Sequence, residues 1–222
     1  MPRRTHPADD ARAPAATSSP VGRPGRPRRP ETDSAILAAT RAALVELGWS
    51  KLTMSDVAKR AGVAKTTLYR RWSGRCDLVV DAVAVLFDDL ELPDRGSLAA
   101  DVEGVVLQFA ALLARPEAGA SLLALVAEST RDQTLRQRIR HSIVDRQKRL
   151  VLLGRERARL RGELPYEPDP EAAGRTADLV FDVIAGAVLH RALVSARPVD
   201  EGWTRAFTAL LLDGLSPTGA RG

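Results

Sequence analysis

Apolar positions along this chain recur at helical spacing almost from end to end. Ile36, Thr40, Ala43, Leu44 and Leu47 form one inward stripe and predict a helix over residues 32–47, closed by Gly48. Trp49 and Leu52 follow as cover for the same small core. Val57, Ala58 and Ala61 give a short apolar face ending at Gly62. A second short helix is expected over residues 64–71, with Leu68 and Trp72 turned inward. Leu78, Val79, Ala82, Val83 and Leu86 predict a fourth helix over residues 75–90.

The pattern continues after a break at Pro93-Asp94-Arg95-Gly96. Helices are expected over 98–113, 118–128 and 131–161, the last with Leu135, Ile139, Ile143, Leu150 and Leu153 inward. Residues 162–168 read as a loop. Two helices with broad apolar faces follow over 170–195 and 199–215. Leu179, Val180, Val183, Ile184, Ala187 and Val188 mark the first, and Trp203, Ala206, Phe207, Leu210 and Leu211 the second. No strand-period segment of useful length and no internal repeat occurs. The fold class is therefore all-α. A small head at 31–91 and a larger helical domain at 92–216 are flanked by an arm at 1–30 and a tail at 217–222.

Residues 53–75 carry the chemistry. Thr53 has an N-cap side chain with Asp56 three positions on, close to a capping box. Gly62 suits the left-handed turn between two short helices. On the second, Lys65, Thr66, Tyr69 and Arg70 share the face opposite Leu68 and Trp72. Two helices so joined, with a basic, hydroxyl-bearing outer face, are how a helix-turn-helix offers a recognition helix to a DNA major groove.

The run Thr-Met-Ser-Asp-Val-Ala-Lys-Arg-Ala-Gly-Val at 53–63, then Thr-Leu-Tyr-Arg-Arg-Trp and Ser-Gly-Arg up to 75, resembles the helix-turn-helix of the TetR family of transcriptional regulators. Ala64 stands where that family often has a capping Ser, and Thr66 where Gly is frequent; both alter base contacts. The resemblance places the motif at 53–72. It makes Lys65, Thr66, Thr67 and Arg70 candidates for base edges, and Thr53, Tyr69, Arg71 and Arg75 candidates for phosphates. The Gly-Glu-Leu-Pro loop from Gly162, the Asp-Pro-Glu helix start at Asp169 and the terminal Leu-Leu-Leu-Asp-Gly-Leu resemble a C-terminal subgroup of the same family. Its last two helices pair with a second copy, which makes Val180, Val183, Ile184, Ala187, Phe207, Leu210 and Leu211 homodimer candidates. Ordinary internal core is the other reading of these positions.

Charge sharpens the picture. Of a net charge of +5, residues 1–30 hold seven arginines against two aspartates, so positive charge gathers at the DNA-reading end. Arg23, Arg26, Arg28 and Arg29 form a concentrated basic arm, read either as a minor-groove contact or as a tail attracted to any polyanion. It approaches an AT-hook, but Pro24 interrupts the usual core.

The basic N-terminus lacks the apolar stretch of a secretory signal, and no uncharged apolar run is long enough to span a membrane. A cytoplasmic protein is expected. Cys76 is the single cysteine, so neither an intrachain disulfide nor a cysteine metal cluster is available. Sparse histidines, no glycine-rich phosphate loop and no nucleophile–base pairing argue against an enzyme, and no cofactor or metal is expected.

A ligand-controlled repressor is the leading expectation, with double-stranded DNA and a hydrophobic or amphipathic small molecule as partners. The effector pocket itself is not legible. His141 and His190 are candidate polar contacts or ordinary helical histidines; Phe109, Phe181 and Trp203 are core residues first. The alternatives are an architectural DNA binder without an effector and a helical dimer that binds a protein.

Overall fold

The computed structural model describes residues 30–215. The arm arginines and the tail expected at 217–222 lie outside the described residues. Ten α-helices account for most of the rest: α1 Pro30–Lys51, α2 Met54–Arg60, α3 Lys65–Tyr69, α4 Arg75–Ala84, α5 Leu98–Ala114, α6 Pro116–Ser129, α7 Gln133–Ile139, α8 Asp145–Leu160, α9 Pro170–Leu189 and α10 Glu201–Leu215. Among the described residues there is no strand.

In the head, α1 and α4 pack on each other and α2 and α3 close the motif. Ile36, Ala43, Leu44, Leu52, Val57, Leu68, Leu78 and Val79 are fully buried between them. Gly48 takes φ 73° inside α1, so the helix breaks there as expected, and one further turn carries the chain to Lys51. Gly62 takes φ 65° at the turn between α2 and α3. A Cβ at either glycine would meet nothing within 4 Å, so the left-handed backbone alone is what favours glycine there.

The larger domain stacks α5 against α6, α8, α9 and α10, while α6 and α7 return to α1 and α4. Arg115 is extended (φ −71°, ψ 121°) and Pro116 opens α6, the conformation a residue before proline prefers. The chain bends by 90° between α5 and α6, and no single described helix is long and apolar enough to cross a membrane. The fourth helix stops at Ala84 and tightens into a 3-10 turn, Val85–Phe87, short of the expected residue 90.

The expected long helix at 131–161 is divided. A π-helical turn, Arg140–Val144, separates α7 from α8, with Asp145 N–H bonded five residues back to the Arg140 carbonyl. One extra residue in a turn rotates everything after it by about 100°. That rotation moves Leu153, expected inward, to an exposed position and brings buried Gly154 and Ala158 to the core side. A second π turn, His190–Val194, ends α9.

Candidate nucleic-acid interface and interior cavity

Thr53 caps α2 as the sequence implied. Its Oγ1 accepts from Asp56 N–H at 3.2 Å, and the Asp56 carboxylate accepts from Thr53 N–H at 3.1 Å. The Thr53 hydroxyl bond holds the Asp56 carboxyl below its ordinary pKa. This box fixes the entry to the motif. α3 then starts without a side-chain cap at Ala64. Its hydrogen bonding runs on through Arg70 N–H to Thr66 O (3.1 Å) and Trp72 N–H to Leu68 O (2.9 Å). The expected extent of the reading helix is recovered as this continued turn.

Leu68 and Trp72 anchor α3 from within, and the Trp72 indole N–H donates to Asp81 on α4 at 2.9 Å. The outer face is open. Lys65, Thr66, Tyr69 and Arg70 are exposed and Thr67 is half-buried. The Lys65 ammonium lies 5.7 Å from the Tyr69 ring centre. Arg70 makes no side-chain bond to any described residue.

The other two arginines differ. Arg71 pairs with Asp33 of α1. Arg75 donates to the carbonyls of Trp49 (2.9 Å) and Leu52 (3.2 Å) and lies 5.0 Å over the Trp49 ring. Both therefore brace the head, with less of the guanidinium open to a phosphate than the sequence suggested. Cys76 is half-buried, and burial raises its thiol pKa, which keeps it protonated and poorly nucleophilic.

The head is wired to the larger domain. Asp81, which receives Trp72, also accepts from Arg138 of α7 at 3.1 Å, and Arg138 reaches Asp77 at 3.6 Å. Arg41 of α1 donates to the Ala82 carbonyl at 2.9 Å and faces Glu117 of α6 at 3.9 Å. Gln147 of α8 donates to the Phe87 carbonyl at 3.1 Å.

Beyond Phe87 lies a cavity of about 110 Å³ between α5, α8, α9 and α10. Its wall is almost wholly apolar, with Phe87, Val102, Phe109, Val151 and Phe181 prominent and Asp101, Gln147 and Arg155 as the polar exceptions. The apolar lining suits a small-molecule site. Phe109 and Phe181 do line it. Trp203 does not; it stacks on Phe207 at 5.0 Å with Arg191 over its ring. His141 and His190 are exposed and outside the cavity. Sequence reasoning missed Gln147 and Arg155, which sit in a charged stretch that reads as a solvated face.

The dimer candidates divide by direction. Val180, Ile184 and Leu211 turn inward and line the cavity of their own chain. Val183 and Leu210 are exposed, joined by Leu179, which was not among the candidates, at 61% exposure. Ala187 and Phe207 are half-buried. Among the described residues no group of three or more His, Cys, Asp or Glu side chains is placed to hold a metal.

The comparisons agree with this architecture. Residues 36–82 match the family model of bacterial regulatory proteins of the tetR family, and residues 92–211 match the tetracyclin repressor-like C-terminal domain. An uncharacterised HTH-type transcriptional regulator, YdeS of Bacillus subtilis (strain 168), is 29% identical over 88% of this chain and 96% of its own. The DNA-binding transcriptional repressor TetR of Mycobacteroides abscessus is 31% identical over 83% of this chain and 92% of its own. Among solved structures, the TetR family transcription regulator SCO0332 superposes with a TM-score of 0.65 at 29% identity, covering 84% of this chain and 100% of that one. With both halves of the chain matched in order, a braced reading helix in front and a helical domain with a cavity behind, the protein belongs to the TetR family of helix-turn-helix DNA-binding transcriptional regulators.

Proposed function

We propose that the protein is a homodimeric repressor that holds a palindromic operator and releases it when a small molecule fills the cavity. The observation that carries this reading is the outer face of α3: Lys65, Thr66 and Arg70 are exposed above a buried Leu68–Trp72 anchor. In the proposed complex Arg70 takes a guanine edge by two hydrogen bonds, and Thr66 and Thr67 meet thymine methyl groups or base acceptors. Lys65 completes the base-facing set. Thr53 and Tyr69 contact phosphates, with Arg71 and Arg75 adding field from their braced positions.

One reading helix contacts few bases, so two copies on adjacent half-sites supply the specificity. The chain from cavity to head supports effector control. Phe87 borders the cavity and closes α4, and α4 carries Asp81, the acceptor of the reading helix's Trp72. A ligand that displaces Phe87 therefore acts on the helix that sets the position of α3. By linkage, effector and operator weaken each other's binding by the same factor. Action on chromosomal DNA places the protein in the cytoplasm.

The test is titration of the purified protein against DNA upstream of its own and neighbouring genes, with unrelated DNA as control, at physiological salt. A footprinted inverted repeat with at least about 1000-fold preference over control DNA is expected. Equal, steeply salt-dependent binding to both DNAs would instead leave an architectural binder.

A further inference from the structure

We infer that the cavity takes a small, uncharged molecule without hydrogen-bonding groups, of about the bulk of one benzene ring. Such a ligand deepens the effector reading above, and its link to DNA rests on that reading.

The wall of the cavity exposes almost no polar surface. Its three polar lining residues, Asp101, Gln147 and Arg155, therefore border the space essentially through carbon. Asp101 is fully buried, its Oδ1 accepting from the Arg95 N–H at 2.7 Å and its Oδ2 from Arg161 at 3.0 Å. The Gln147 amide N–H donates to the Phe87 carbonyl at 3.1 Å. A hydroxyl or a charged group that enters such a space gives up its water and finds no donor or acceptor in exchange. The penalty for a hydroxyl is a factor of about five or more in affinity, and for an ionised carboxylate or ammonium far more.

The room available sets the size. An apolar cavity of about 150 Å³ stays dry and takes benzene, and the space here is about 110 Å³. Water needs two or more polar partners to settle in a cavity, so an apolar ligand has no bound solvent to displace from this wall. Three of the four phenylalanines in the chain, Phe87, Phe109 and Phe181, line it. The Phe87 and Phe109 rings stand 6.0 Å apart at 47°, and rings so tilted offer both edge and face to a third. Phe87 also ends the turn that follows α4, so an occupant lies against the segment that leads to the reading head.

Calorimetric titration of the purified full chain with toluene, phenol, benzoate and benzylammonium at neutral pH tests this. Toluene and phenol differ only in a methyl group against a hydroxyl. Toluene is expected to bind at least about five-fold more tightly than phenol, with no measurable binding of either ion. Nuclear Overhauser contacts from bound toluene to the Phe87 and Phe109 rings are expected, and they locate the ligand without any variant. Val102→Phe adds a ring to the α5 wall and should abolish toluene binding, with a thermal melt confirming a folded chain. Failure of toluene to bind, phenol or benzoate binding as tightly as toluene, or bound toluene without contacts to those rings would overturn the inference. So would toluene binding unchanged in folded Val102→Phe. Operator release is read separately: toluene held in the cavity without loss of DNA affinity would support the apolar site and sink the effector role.

Discussion

Arg70, Arg71 and Arg75 stand close together in the chain, carry the same charge, and are set apart only by what surrounds them. Arg70 projects from the open face of α3, Arg71 pairs with Asp33, and Arg75 closes on the Trp49 and Leu52 carbonyls beneath the head. Substitution should separate their roles. Arg70→Ala is expected to remove about 1–3 kcal/mol of base discrimination, seen as a loss of at least about five-fold in operator over control DNA, with the unfolding temperature unchanged. Arg75→Ala removes two hydrogen bonds from a charged donor and a cation–π contact, at a cost of about 1–3 kcal/mol of stability. Parallel thermal melts and DNA titrations check both. An Arg70→Ala protein with intact selectivity would mean that α3 does not read the operator through this side chain.

At the scale of elements, the head was the more legible half. Capping by Thr53 and Asp56, the turn at Gly62 and the inward pair Leu68 and Trp72 are local signals, each set within a few residues, and each is where the sequence predicted it. The interior cavity was not legible, because its walls come from four helices far apart in sequence. A π turn also shifts the phase of α8, so Leu153 leaves the core and Gly154 enters it. No apolar periodicity announces that extra residue.

The second π turn carries a testable cost. After His190–Val194 the chain reverses through Ala196 at φ 50°, the one positive-φ residue other than glycine among those described. Arg197 N–H closes the reversal on the Arg191 carbonyl at 3.0 Å. A left-handed conformation costs an L-residue roughly 1–2 kcal/mol, part of which the greater unfolded-state freedom of glycine offsets. Ala196→Gly should therefore stabilise the protein by about 0.5–1 kcal/mol, read as a higher denaturant midpoint at unchanged slope. A lower midpoint would mean that the Ala196 methyl group contributes more than the backbone strain it brings.

At the scale of the whole molecule, α9 and α10 each have two apolar sides with different tasks. Val180, Ile184 and Leu211 face the cavity, while Leu179, Val183 and Leu210 face outward, Leu210 at 74% exposure. Exposed leucine and valine on both α9 and α10 favour a partner surface over solvent, and burial against a second copy fits the two-fold symmetry that a palindromic operator requires. Leu210→Glu places two like charges near the axis of such a dimer without touching the cavity lining. It is expected to weaken self-association by more than ten-fold, as loss of a central interface anchor does, and to reduce binding of a full operator toward that of a half-site. Sedimentation velocity across a concentration series reads the first effect and DNA titration the second. A variant that stays dimeric would move the interface off α10. If instead it dissociates, a ligand against Val180 and Ile184 lies one helix thickness from the contact that sets the spacing of the two reading heads, and filling the cavity can alter that spacing through α9 as well as through α4.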